Sequence, residues 1–205
     1  MDASPIFALG TVLMPGMVLP LHVFEPRYRA LVEYCEANGS SFAVVLILRG
    51  SEVGGGDQRS SMGCRAEIVE LEGAPDGRYG LVALGTERIR VTRWLDDDPY
   101  PQAVIEGWPD KPTADPVALA ADYAERVGQL RRFLALAVEL GATGTPLVDV
   151  TTDPVLGSYQ LGMLAGLGPF DHQLLLAAEG PEDRLALLGT MLADATETLE
   201  AQLNS

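Results

Sequence analysis

With 205 residues, 47% of them apolar, the chain can bury one medium-sized core, or a small domain with a helical appendage, which excludes general disorder. A net charge of −15 repels phosphate backbones, so no nucleic-acid partner is expected. No apolar run reaches the length of a membrane span, and Met1-Asp2-Ala3-Ser4-Pro5 lacks the basic and apolar regions of a signal peptide, so the chain reads as cytoplasmic with no membrane partner.

Residues 1–112 carry 16 acids and 10 bases, whereas 113–205 carry 13 acids and 4 bases, and Lys111 is the only lysine. Such an acidic chain has either a merely solubilising surface or a preference for basic or unfolded partners.

Ile6-Phe7-Ala8-Leu9 opens as a short strand. The next twenty residues, from Val12 to Leu31, hold two apolar runs and three prolines, and read as strand, turn, strand and helix start. Pro15-Gly16 is a turn dipeptide, because proline presets φ and glycine supplies the positive φ of a type II turn. Pro20 withholds one N–H from the second strand, which therefore belongs at a sheet edge or a bulge. Pro26 suits the first turn of a helix, with Glu25 at its positive end, four residues before Arg29. Tyr28, Leu31, Val32 and Cys35 then repeat at helical spacing to Asn38, and Gly39 stands where a left-handed cap ends the helix.

Phe42 to Leu48 is an unbroken β-rich run, the pattern of a central strand buried on both faces. Gly50 to Ser61 reads as loop: its glycines lack the Gly-Lys-Ser/Thr ending of a phosphate cradle. Cys64 to Leu71 alternates as a half-solvated strand, and Ala74-Pro75-Asp76-Gly77 turns the chain into a strand from Arg78 to Leu84. Gly85 marks a bulge or corner before Thr86 to Val91, and Tyr100 to Glu106 makes a last strand. Short strands at these intervals predict a small curled barrel.

The composition switches at Pro109-Asp110-Lys111-Pro112, a natural linker. Thr113 to Leu140 is a long helical pattern with Tyr123, Val127, Leu130, Leu134 and Ala137 on one stripe. Asp153-Pro154 starts a helix to about Gly166, Asp171 starts another, and Pro181-Glu182-Asp183 opens the last, with Leu185, Leu188, Leu192 and Leu199 at core positions. The fold class is α+β: a barrel over 1–110 and a helical bundle over 111–205.

Catalytic patterns are thin. Cys35 and Cys64 have no metal spacing and read as small buried hydrophobes. His22 reads as a hydrogen-bonded structural residue and His172 as solvated. Asp96-Asp97-Asp98 lacks the spacing of a calcium loop and reads as a solvated turn. Glu25, Arg27 and Arg29 read as an ion-pair network at a helix start. No cofactor or metal is expected. A binding role fits better, with Met14, Met17 and Val18 as exposed apolar contacts near the Pro-Gly turn, or with a cleft between barrel and helices.

Leu19-Pro20-Leu21 and Phe24-Glu25-Pro26-Arg27-Tyr28, after Pro15-Gly16, resemble the signature of the Lon protease N-terminal domain family. Ala66-Glu67-Ile68, Asp76-Gly77-Arg78-Tyr79, Gly85 with Arg88-Ile89-Arg90-Val91, Trp94 and Pro99-Tyr100 extend the resemblance. Gln173-Leu174-Leu175-Leu176 and Glu182-Asp183-Arg184-Leu185 carry it into the second half. The resemblance implies a PUA-like pseudo-barrel and a non-catalytic, free-standing substrate-binding domain for unfolded or apolar polypeptide segments or a protein partner. It does not imply the family's ATPase or serine–lysine peptidase: no GxxxxGK(S/T) motif is present, and Lys111 lies in an exposed linker. A small-molecule site built on Glu25, Arg27, His22 or Tyr28 is the rival from the enzyme class. An RNA-binding module, suggested by PUA-like folds, is the rival that the charge opposes.

Overall fold

The computed structural model describes residues 3–52 and 56–203; Met1-Asp2, Asn204-Ser205 and Val53-Gly54-Gly55, within the stretch read as loop, lie outside the described residues. The chain forms two compact units, Met1–Pro109 and Asp110–Ser205. Among the described residues the first contains six strands and one helix and the second four helices, so the class is α+β.

In the first unit β1 (Ser4–Leu9) runs parallel to β3 (Ser41–Arg49) and pairs antiparallel with β6 (Gln102–Gly107). The long strands β4 (Gln58–Gly73) and β5 (Tyr79–Trp94) form a hairpin beside β3. β6 also pairs with the second half of β5, from Ile89 to Trp94, so β1, β3, β4, β5 and β6 close into a ring. β2 (Val18–Val23) pairs only with the first half of β5 and is an edge strand, as Pro20 requires.

β1 and β3 are buried on both faces. Phe7, Leu9, Phe42 and Val44 pack with Tyr28, Leu31, Val32 and Cys35 of α1 (Pro26–Ala37), while Ile6, Ala8, Ala43 and Val45 pack with Ile89, Val91 and Ala103. The unbroken apolar run of β3 follows from that two-sided burial. Cys35 and Cys64 are both buried, which pushes each thiol up to about 12 and keeps it protonated.

The β4–β5 hairpin curls through two bulges, at Val69 and at Thr86. Gly85, beside the second, receives the Pro15-Gly16 turn. Gly16 N–H donates to Gly85 O and Gly85 N–H donates to Met17 O, each at 2.8 Å. Gly16 has φ +77°, and Met17 N–H closes the turn on Met14 O at 3.1 Å. A Cβ on Gly85 would stand 2.3 Å from Met14 O, so only glycine lets the two segments touch.

Several expectations change here. Val12-Leu13-Met14 is buried but forms no strand, because its path crosses Gly85 at the turn and does not run along a ladder. Gln58 to Ser61 belongs to β4, not to a loop: Arg59 opposes Ile47 across the sheet, and strand pairing overrides composition. Asp97 is not simply solvated, since Arg59 grips it through both guanidinium amino groups at 2.6 and 3.0 Å.

The helices of the second unit are α2 (Pro116–Glu139), α3 (Pro154–Leu164), α4 (Pro169–Ala177) and α5 (Pro181–Leu203), all opened by proline. Asp115 caps α2 by accepting from Val117 and Ala118 N–H at 3.0 Å, and Asp153 caps α3 from Val155 N–H at 2.9 Å. α4 starts two residues before Asp171, because Gly168 supplies the extended N-cap. On α2 the buried residues are Leu119, Tyr123 and Leu130, while Val127, Leu134 and Ala137 are half-buried, as is Leu199 on α5.

The centre of this unit is polar. Arg184, fully buried on α5, donates to Leu175 O at 3.1 Å, Ser158 Oγ at 2.7 Å, Tyr159 Oη at 2.8 Å and the Asp110 carboxylate. Its guanidinium lies 3.5 Å from the Tyr159 ring centroid. A buried charge survives when paired and fully hydrogen-bonded, and the planar fork of arginine reaches four partners at once. This ties Asp110 to the helical unit, so the linker expected at 109–112 is anchored at that residue. His172, expected to be solvated, is buried with Nε2 3.1 Å from Gly162 O.

Gly85→Ala should destabilise the protein by about 2–4 kcal/mol, read as a lower urea midpoint at unchanged slope. Burial lowers the His172 pKa from 6.5, against weaker raising by the Gly162 carbonyl and Asp171. Neutral imidazole is therefore the native form. Its contribution is fully present above the unfolded pKa and is lost as pH falls through the depressed folded value. Between about pH 7.5 and about pH 5.5 the wild type should lose more stability than His172→Gln, measured by urea unfolding.

Candidate functional site

β6 leaves β1 after its first residues, the last bond being Ile6 N–H to Pro101 O at 2.8 Å. Backbone groups that point the same way at Ala8 and Gly10 would then be bare. The Tyr28 hydroxyl accepts from Ala8 N–H at 3.3 Å and donates to Ala8 O at 3.2 Å, while Gly10 N–H donates to the Glu52 carboxylate. Arg27 joins the pieces: it donates to Glu25 Oε2 at 3.1 Å and to Glu52 O, and its guanidinium lies 4.4 Å from the Tyr28 ring centroid. Tyr28 stacks on Phe7 with centroids 3.9 Å apart.

The Phe24–Tyr28 string thus seals a barrel seam. Glu25 pairs with Arg27 rather than Arg29, because Arg29 turns its guanidinium against Gly77 of the β4–β5 turn. A slot of about 220 Å³ remains between β1 and β2, bordered by Leu9, Pro20, His22, Glu25, Tyr28 and Glu52. Its polar groups are engaged with one another. Burial, opposed by the Arg27 charge, pushes the Tyr28 hydroxyl up to about 12, far from proton transfer near neutrality. His22 does not join them: it is exposed on β2 and is not the hydrogen-bonded structural residue expected, because strand alternation turns it outward.

Met14, Met17 and Val18 separate. Met14 is fully buried, so it is core and cannot touch a partner; the Gly85 contact pulls it under the turn. Met17 is half-buried against the core, and Val18 is 65% exposed. Val18 begins a face that the single residue did not announce. Leu19, Leu21, Leu71, Leu81 and Ala83 pack towards α1, so their neighbours project the opposite way. Register places Val18, Leu84 and Glu67 in one row, Pro20, Val82 and Glu70 in the next, and His22, Gly80 and Glu72 in the third. Over the lower two rows runs a groove of about 490 Å³. Val69, thrown outward by its bulge, and Phe24 at the end of β2 are also exposed.

Pro20 matters to this face in a second way. Gly85 N–H to Met17 O fixes which β2 residues carry ladder bonds, so Val18, Pro20 and His22 turn their backbone groups to the free edge. Proline in the middle of that edge offers no donor, which discourages strand addition. Side chains, not the backbone edge, are what this region presents.

No group of three or more His, Cys, Asp or Glu residues is placed to hold a metal among the described residues. Arg27, Arg59, Arg65, Arg78, Arg90, Arg126 and Arg132 are each held by a carboxylate, so these arginines are neutralised and form no bare basic surface. No helix among the described residues is long and apolar enough to cross a membrane.

Fold and site together define an α+β protein with a closed β-ring, an appended edge strand, a helical unit and an apolar face with one acidic margin. A profile described as "ATP-dependent protease La (LON) substrate-binding domain" matches residues 3–194, and the chain belongs to that family. Lon protease 2 of Myxococcus xanthus is 32% identical over 152 residues, which is 73% of this chain and 18% of that protein. A LON peptidase N-terminal domain and RING finger protein of Schizosaccharomyces pombe is 25% identical over 222 residues, covering 95% of this chain and 46% of its own length. The chain therefore spans less than half of either relative. The crystal structure of a Lon N-terminal domain protein from Xanthomonas campestris matches with TM-score 0.69 and 27% identity, over 93% of this chain and 98% of that one. The N-terminal domain of a Mycobacterium avium complex Lon protease shares the fold at TM-score 0.67 and 22% identity, over 96% and 98%.

Tyr28→Phe should leave both Ala8 backbone groups unpaired and cost about 1–3 kcal/mol. Amide exchange at Ala8 should accelerate by more than at Val44, which keeps its ladder partners; equal acceleration would mean that the seam does not depend on the hydroxyl.

Proposed function

We propose that the chain is a non-catalytic polypeptide-binding module that holds unfolded or apolar protein segments on the β2–β5–β4 face. The observation that carries this reading is the run of exposed and half-exposed apolar side chains Val18, Leu84, Pro20 and Val82 on one sheet face, the last two lining a groove, in a protein of the substrate-binding domain family. Contiguous apolar surface of this kind is uncommon on proteins without partners. Burying it contributes about 25 cal/mol per Å² before the cost of ordering the bound segment is subtracted. Phe24 adds an aromatic contact at the lower end, whereas Met17 packs against the core behind the face. The Glu25–Arg27–Tyr28 cluster acts as scaffold for this face.

The test is fluorescence anisotropy with a labelled apolar peptide and with a reduced, alkylated unfolded protein. Val18→Asp should weaken binding about fivefold to tenfold, equivalent to about 1–1.4 kcal/mol. Val117→Asp, at an exposed position on α2, should not change it. The peptide should be recovered intact by mass spectrometry. Equal affinity for folded and unfolded forms of the same protein would overturn the reading.

A further inference from the structure

The face is chemically lopsided. Its β2 and β5 columns are apolar apart from His22, whereas its β4 column consists of Glu67, Glu70 and Glu72, all exposed. None of these three has a lysine or arginine partner among the described residues. The basic side chains nearest in sequence are already taken, Arg65 by Glu87 and Arg78 by Asp76.

Glu70 and Glu72 stand two residues apart on one strand face, about 7 Å, a span across which one cationic side chain can meet both carboxylates. Gly80, between Glu72 and His22, carries no side chain, and a Cβ built there meets nothing within 4 Å. The groove is therefore open where a long side chain must enter, with Val82 and Pro20 beside it to cover an aliphatic stem.

We infer that this groove selects polypeptide segments in which a lysine or arginine is flanked by apolar residues: the cation lies between Glu70 and Glu72, its stem over Gly80 and Val82, and the apolar neighbours reach Pro20 and Val18. The inference rests on the polypeptide-binding reading above and adds charge selection to it. Charge complementarity also separates partners, because an acidic segment would meet the same carboxylates as repulsion. The net charge of −15 strengthens that bias at a distance.

The test uses three fluorescent apolar peptides of about twelve residues that differ only at two central positions, Lys, Gln or Glu. On the full chain in low salt the Lys peptide should bind about threefold to tenfold tighter than the Gln peptide, and the Glu peptide more weakly than either. Glu70→Gln/Glu72→Gln should abolish the difference in affinity between the Lys and Gln peptides. About 0.5 M salt should do the same to the wild type. Circular dichroism and the urea midpoint confirm that the double variant is folded. Gln and Lys peptides of equal affinity would overturn the charge selection while leaving polypeptide binding intact. Persistence of the Lys preference in the double variant would assign it to other carboxylates and also overturn the proposal. Failure of all three peptides to bind would remove both readings.

Discussion

The barrel depends on how the open edge of β1 is closed. β6 satisfies that edge only as far as Ile6, and Ala8 lies inside the core, where an unmade hydrogen bond costs roughly 1–3 kcal/mol. One hydroxyl, from Tyr28, serves both backbone groups of Ala8, and one carboxylate, from Glu52, serves Gly10. Arg27 holds the Tyr28 hydroxyl and the Glu52 carboxylate in place through Glu25, the Glu52 carbonyl and the Tyr28 ring. The charged and aromatic residues that open α1 are there because a strand ladder stops early.

That closure decides where β2 can go. With the seam sealed by side chains, β2 pairs with β5 alone and hangs beside the ring, its start fixed by the contact of the Pro15-Gly16 turn with Gly85. An edge strand so placed would normally offer its backbone to any extended chain. Pro20 interrupts that offer, and the exposed surface that remains is the side-chain face shared with β5 and β4. A face read through side chains can distinguish partners by charge and shape, whereas a bare backbone edge would accept almost any strand.

The helical unit is organised by a different constraint. Arg184 carries a full charge at zero exposure, and Asp110, Ser158, Tyr159 and Leu175 O compensate it. Such a network adds little net stability over an apolar core, but it tolerates only one arrangement of its partners. Its members come from the chain's entry into the unit and from α3, α4 and α5, so the network fixes how three helices and the Asp110 segment meet.

Local chemistry was legible along the chain. The Pro15-Gly16 turn, the edge placement of Pro20, the buried stripe of α1, the doubly buried β3 and the Asp153 cap with its proline all follow from φ restriction, donor counting and periodicity. Gly85 was legible as a corner but not as the landing site of a loop some seventy residues earlier. Glu52, Arg184 and His172 were misjudged or passed over, because each owes its role to a partner remote in sequence. The same holds for the face: Val18 is exposed and Met14 buried although both flank one turn, and Glu70 shares a row with Pro20, and Glu72 with His22, only through strand register. Sequence by itself determined most of the elements, the family and the excess of negative charge. Tertiary structure decided which apolar residues stay outside and which carboxylates stand beside them, since those depend on register and on buried hydrogen bonds that no short stretch of chain contains.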